Sequence, residues 1–425
     1  MSIWVFFAVF LLLLILRGSV AFAMLFSSII YMVMNGLSLT LVAQRMVAGA
    51  NSFVLLAIPF FVLASNIMNS GGVTDRIFGF ANKAVGHIRG GLGHANVLSS
   101  IIFAGMSGSA VADAAGLGKI EVKAMTDAGY DEDFSVAITG ASSIIGPIIP
   151  PSIPAVLYGV AASVSIGKLF AAGLLPGILM GLCLSVMILI ECRKKQYPRA
   201  TWCGFRVLFQ TLGKSFFSLL TPAIILGAIL TGVVTPTEAA VLAILYAGVL
   251  AFCYKEMSIR DLKGILVESV NTTVPIMSIL CAAQAFGWVM ANEQVPQMIL
   301  GLFSKYIHSP VVALIIVNIF LLLIGCFMEA GAAIIILVPV LVPIMAQFGV
   351  DPVHFGIIMI LNLMIGLITP PVGVVLYVLQ SISSISFPKI VKAIIPYLIA
   401  LLIALLFVSF CPALVMFLPR LIYGA

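Results

Sequence analysis

Two stretches of this chain, far apart, are interrupted in the same way. One reads GASSIIGPIIPPSIPAVLY, from Gly140 to Tyr158, and the other NLMIGLITPPVGVVLY, from Asn362 to Tyr377. Displaced by 220 positions, Gly146 falls on Gly366 and Pro150-Pro151 on Pro370-Pro371. The register extends outward, with Gly105 on Gly325, Gly129 on Gly349, Asp131 on Asp351 and Pro176 on Pro396, and slips by a few residues near Pro59 and Pro275. A repeat this long dictates a two-fold architecture. In an apolar chain it points to a transporter whose site lies where the two broken elements meet.

The chain is apolar enough for that argument to apply. Of its 425 residues 62% are hydrophobic and 8% charged. Runs near the roughly 20 residues that span a bilayer recur throughout. The expected fold is therefore an all-α polytopic membrane protein. Spans are expected at 2–16, 19–34, 51–70, 134–163 (broken), 170–190, 215–234, 237–254, 265–291, 354–385 (broken) and 393–418, with polar-interrupted pieces at 97–116 and 317–336. The run Ser2–Leu16 lacks a basic start, and Arg17 follows it, so it reads as a membrane helix rather than a cleavable leader. Pieces 76–86 and 297–307 read as arms lying along the bilayer surface.

Lysine and arginine set the orientation. If both interrupted pieces enter and leave on one side, all of the 21 basic residues but Arg45, Lys168, Lys305 and Arg420 collect on a single face. Positive loops stay in the cytoplasm, so both termini are expected outside. That arrangement makes the pieces re-entrant hairpins and the repeats inverted. The expected division is 1–50 as N-terminal scaffold helices, 51–190 as the first repeat, 191–264 as a cytoplasmic loop (Cys192–Arg206, basic) with connecting helices, and 265–425 as the second repeat.

The chemistry is expected at the breaks. Paired prolines remove amide donors and free carbonyls of the preceding turn, which hydrocarbon cannot satisfy. Those oxygens suit a sodium ion, and the restarting half-helix presents a positive end to a carboxylate. Pro150, Pro151, Pro370, Pro371, Gly146 and Gly366 mark the breaks, and Ser142, Ser143, Asn362 and Thr369 supply nearby oxygens. The hairpin tips, GMSGSAVADAAGLG (Gly105–Gly118) and GCFMEAGAA (Gly325–Ala333), add Ser107, Gly108, Ser109 and Asp113, and Gly325, Glu329 and Gly331. An ionisable group at membrane depth is a functional candidate. Asp113 could equally hold a helix end or brace its hairpin without touching an ion, and the same alternative stands for Glu329. Glu238, in TPTEAA, reads as a helix cap, and Glu268 as interfacial at the start of its span. The seven cysteines and four histidines show no ligand spacing. No nucleophile–base pair or transition-metal site is expected, which argues against an enzyme, and a nucleic-acid role has no support.

AIPFFVLASNIMNSGG (Ala57–Gly72), SGSAVAD (Ser107–Asp113), IIGPIIPPSIP (Ile144–Pro154), TPTEAA (Thr235–Ala240) and IGLITPPVG (Ile365–Gly373), in this order over nearly the whole chain, resemble the large membrane subunit of a tripartite ATP-independent periplasmic (TRAP) transporter. The resemblance implies a bacterial inner-membrane importer driven by sodium and working as an elevator. Its partners would be a small four-helix membrane subunit and a soluble periplasmic binding protein. Its cargo would be organic acids such as dicarboxylates, keto or sugar acids, or sialic acid. It places cation sites at Ser107, Gly108, Ser109, Gly146 and Pro150, and at Gly325, Gly331, Gly366, Thr369 and Pro370. The charged stretch Lys119–Phe134 departs from the pattern of many relatives. The alternatives are a stand-alone sodium or proton carboxylate symporter and, from another class, a channel without coupled sites.

Overall fold

The computed structural model describes residues 2–16, 18–195 and 197–424; Arg17, counted in the charge argument, lies outside them. The described residues form helices and no strand. Helices α1 (Ser2–Ile15) and α2 (Val20–Met34) pack together and are followed by α3 (Thr40–Ala50). A 3₁₀ turn, Phe53–Leu56, leads into α4 (Ala57–Ser70), α5 (Val73–Val85), α6 (Gly91–Ser107), α7 (Ala110–Ala115), α8 (Leu117–Asp127), α9 (Glu132–Ser143), α10 (Ile153–Ala161) and α11 (Ile166–Lys194). Helices α12 (Gly204–Leu230) and α13 (Pro236–Cys253) form the connection. The order then repeats as α14 (Ile259–Asn292), α15 (Val295–Tyr306), α16 (Pro310–Phe327), α17 (Ala330–Gln347), α18 (Pro352–Gly366), α19 (Val374–Ser381) and α20 (Phe387–Phe410), and α21 (Pro412–Tyr423) ends it.

Among the described residues eight helices are long and apolar enough to cross a membrane. Large apolar side chains stay exposed on the outer helices, Leu11, Phe216, Val270, Ile319 and Phe407 among them. A surface this apolar suits lipid rather than water. The chain is a multi-pass membrane protein.

Several elements differ from expectation. Helix α3 is absent from the expected spans because it is short and carries Gln44 and Arg45. The piece 97–116 holds a turn at Gly108 and Ser109, and its second arm breaks again at Gly116. The span 393–418 is two helices meeting at Cys411 and Pro412, where proline fits a helix start but not an interior. Helix α14 far outruns 265–291.

The helix starts have local causes. Asp351 accepts from the amides of Val353 and His354 to cap α18, and its repeat mate Asp131 stands at the N-cap of α9. Thr235 and Glu238 form a reciprocal capping box on α13, as the sequence predicts. At the same end of the molecule as Asp131, Glu132 accepts from the hydroxyl (2.6 Å) and the amide (2.7 Å) of Ser384, joining the two repeats. Those bonds hold the Glu132 carboxyl below its ordinary range. The Lys195 ammonium does the same to Asp131, with which it pairs.

The two copies are interwoven. Helix α9 packs on α6, and α18 packs on α16, each within its own repeat. Beyond the breaks the partners exchange: α10 packs on α17, and α19 packs on α7. Helices α9 and α18 are accordingly buried almost along their whole length, Phe134–Ser143 and Val353–Gly366.

Candidate functional site

At the first tip, α6 ends on Ser107, Gly108 takes a left-handed conformation (φ +61°), and the Ser109 side chain accepts from Ala112 to start α7. Gly108 is required twice over, since a Cβ there would lie 2.5 Å from the Pro151 carbonyl oxygen. Asp113 turns back from α7 and is fully buried. Its Oδ1 accepts from the Ser107 hydroxyl, and its Oδ2 has no protein partner. That second oxygen lies against Gly146, where a Cβ would come within 2.4 Å of it.

The first break runs between Ser143 and Ile153, with the Pro150-Pro151 bond cis. Its polar groups are partly served locally. The Ser152 hydroxyl donates to the Pro147 carbonyl (2.5 Å) and accepts from the Ala155 amide (3.1 Å), capping α10. Ser143 donates to the Gly140 carbonyl, 2.9 Å. Ser142 is engaged elsewhere: its hydroxyl donates to Asn96 Oδ1 (2.6 Å), and Asn96 in turn donates to Thr139 (2.7 Å).

The second copy follows the same plan with other residues. Met328 is extended, and the Glu329 carboxylate accepts from the Ala332 amide (3.1 Å), capping α17. The Pro370-Pro371 bond is also cis, and Thr369 donates to the Ile365 carbonyl, 2.7 Å. Gly325 and Gly366 bring the hairpin arm and the broken helix into backbone contact, since a Cβ on Gly366 would sit 2.3 Å from the Gly325 carbonyl carbon. Asn362, the repeat mate of Ser142, donates to Asn318 Oδ1 (2.6 Å), and its own Oδ1 is buried without a partner. Each broken helix is thus clipped to its hairpin by an asparagine, two residues out of register between the copies.

The tips and breaks converge. A cavity of about 80 Å³ is lined by Gly108, Ser109, Ile153, Glu329, Gly331 and Leu367, drawn from both repeats. It adjoins a larger one of about 750 Å³, which Ser107, Ser109, Val111, Glu329 and Ala332 line from the tips. Helices α4 and α14 line the opposite side through Ser65, Asn66, Glu268 and Thr272. Ser107, Ser109, Gly108, Glu329 and Gly331 therefore share these cavities, whereas Ser142, Ser143 and Asn362 are buried among the helices and the half-buried Thr369 lies in the second break beside the exposed Pro370 and Pro371. Glu268, exposed on α14, also lines the larger cavity. Ser65, Asn66 and Thr272 were missed. The signal on α14 is the spacing of Glu268, Ser269, Thr272 and Thr273, three to four residues apart on one apolar helix. Asn66 donates to Ser269 across it, 2.9 Å, and Ser65 Oγ is buried without a partner.

The family described as "Tripartite ATP-independent periplasmic transporter, DctM component" matches residues 7–414. The sialic acid TRAP transporter large permease protein SiaM of Vibrio cholerae is 44% identical over 407 residues, covering 95% of each chain. The C4-dicarboxylate TRAP transporter large permease protein DctM of Pseudomonas aeruginosa is 41% identical over 379 residues, 89% of each. Among solved structures, the YdaH transporter of Alcanivorax borkumensis has a similar fold, with a TM-score of 0.63 at 13% identity over 90% of this chain and 88% of that one.

Proposed function

The chain belongs to the DctM component family of tripartite ATP-independent periplasmic transporters, and from that premise we propose that it is the membrane-translocating subunit of a sodium-coupled, binding-protein-dependent importer of organic acids. The setting is the bacterial inner membrane, with both termini outside. Its partners are a small membrane subunit and a periplasmic substrate-binding protein. The cargo class rests on relatives named for sialic acid and for C4-dicarboxylates, which share a carboxylate.

In this reading α6–α8 and α16–α17 are re-entrant hairpins. They move together with the broken helices α9–α10 and α18–α19 as an elevator. The repeats are 51–190 and 265–425, and they are inverted. Residues 1–50 and 191–264, with helices α4 and α14, form the scaffold that holds the small subunit.

The observation that carries the reading is the convergence of both tips and both breaks on one pair of cavities, with an unpartnered carboxylate oxygen of Asp113 beside the first break. That oxygen, the Ser107 hydroxyl and carbonyls freed at the breaks form an oxygen donor set suited to sodium. Sodium bound there would order the tips and complete an anion site built from small residues and helix ends. Coupling then requires the loaded and the empty carrier to cross, and the half-loaded one to stall.

The test is uptake into proteoliposomes holding this chain and its small partner under an inward sodium gradient, with and without the binding protein. Uptake needing both supports the proposal. Uptake by this chain alone would replace it with a stand-alone symporter, and flux indifferent to sodium would replace it with a channel.

A further inference from the structure

Helix α14 has 34 residues, about 51 Å at ~1.5 Å each, and two cavities lie along it. Residues between Glu268 and Ile279 line the cavity of about 750 Å³ at the hairpin tips. Residues between Leu280 and Ala291 line a second cavity of about 300 Å³. The second is completed by Arg45 of α3, by Val160 and Ala161 at the end of α10, and by Ile335 and Pro339 of α17. On α14 one cavity stops where the other begins, and each has a scaffold helix on one side and a hairpin or broken helix on the other.

Their charges are opposite. Glu268 and Glu329 are the charged residues among those described around the larger cavity, and Arg45 is the one around the smaller. The ion pairs among the described residues, Arg76–Glu256 and Lys195–Asp131, do not involve Arg45. Beside it Gln284 rests its side-chain stem on Gly49, so closely that a Cβ on Gly49 would lie 2.5 Å from Gln284 Cγ. Gln284, exposed like Arg45, brings an amide to the same cavity, and the half-buried Trp288 adds a flat apolar wall.

We propose that Arg45, Gln284 and Trp288 form an outer carboxylate-binding site, which takes the substrate before it reaches the hairpin tips. The proposal rests on the importer reading and its orientation, which places Arg45 outside and Lys263 inside. A guanidinium fork matches a carboxylate in two parallel hydrogen bonds, the amide adds a third donor, and the indole covers a sugar ring or carbon chain.

The chain has three tryptophans, so Trp4→Phe with Trp202→Phe leaves Trp288 as the reporter. The full chain is placed in nanodiscs and titrated with succinate, sialic acid, glucose and inorganic phosphate. The expected result is saturable quenching of Trp288 by at least one of the two carboxylates and none by glucose. Arg45→Gln should weaken it about tenfold or more, and Arg45→Lys by less. Quenching that Arg45→Gln leaves unchanged, or that neither carboxylate produces, overturns the proposal. Phosphate acting as strongly as the carboxylates also overturns it and points to a lipid headgroup spot. So does Arg45→Gln weakening uptake only through the half-saturating concentration of the binding protein, with the quench intact, which makes Arg45 a docking contact. Because quenching is read without transport, failure of this site and failure of the importer reading give different results.

Discussion

Gly325 and Gly366 touch backbone to backbone, so this contact depends on side chains that are absent. In Gly366→Ala the new methyl would meet the Gly325 backbone, which has no rotamer with which to yield. Overpacking of this kind typically costs about 1–3 kcal/mol. The expected outcome is a lowered unfolding temperature and uptake reduced well below wild type. Gly213→Ala, in open space on α12, is the control and should gain about 0.5–1 kcal/mol. Equal behaviour of the two variants would mean that the Gly325–Gly366 contact is dispensable. Asp113 makes a different prediction. Asp113→Asn keeps the shape and the Ser107 contact but replaces the carboxyl oxygen beside Gly146 with an amide nitrogen. If Asp113 holds sodium, the half-saturating sodium concentration should rise about tenfold, the loss of one charge-assisted contact, while the unfolding temperature stays near wild type. A fall in stability with sodium dependence unchanged would make it a brace instead. The two glycines and Asp113 were legible in the sequence, since a repeat offset and an acid at membrane depth both stand out against apolar surroundings. Glu329 was legible only as a candidate, and its bond to the Ala332 amide is that of a helix cap that also faces the cavities.

Each broken helix is an element held at one end by a polar clip and at the other by a foreign hairpin. The clips, Ser142 on Asn96 and Asn362 on Asn318, are buried; Asn96 Oδ1 accepts from Ser142 alone, whereas Asn318 Oδ1 also accepts from Ser409. Ser142→Ala should cost about 1–3 kcal/mol through the stranded Asn96 oxygen. Sodium dependence should not change, because the hydroxyl faces Asn96 rather than the tips. Thermal unfolding together with sodium titration of uptake separates this from a ligand role, in which the sodium requirement would shift. The clips escaped sequence reading because Asn96 and Asn318 differ in repeat register by two residues. The exchange of α10 onto α17 and α19 onto α7 escaped it for a deeper reason. The second halves, α10 and α19, are short and mostly apolar, and such a surface carries little periodicity that names its partner. Helix α14 shows the opposite case: of its polar residues at three- and four-residue spacing, Glu268 and Thr272 line the large cavity, and Ser269 is buried against Asn66 of α4.

At the scale of the whole molecule, the exchange ties the repeats into one body. A body held together this way can shift only as a unit, because moving one hairpin drags the broken helix of the other copy. The elevator reading therefore requires slippage along the surface where α4, α12 and α14 meet the hairpins. Two contacts mark that surface: Gly105 of α6 against Pro222 of α12, and Gly116 against Asn69 of α4. At Gly116 the neighbouring Asn69 amide would lie 3.5 Å from a Cβ, and the backbone there has a negative φ that a cysteine tolerates. Asn69→Cys with Gly116→Cys, in a chain cleared of its seven native cysteines, can be bridged by a mercuric ion and released by excess dithiol. Under the elevator reading uptake stops on bridging and returns on release, whereas either single cysteine treated alike is unaffected. Uptake that continues at its full rate in the bridged protein would mean that α4 and the first hairpin travel together. The moving boundary would then lie elsewhere, and the division of the chain into scaffold and carriage would have to be redrawn around α4.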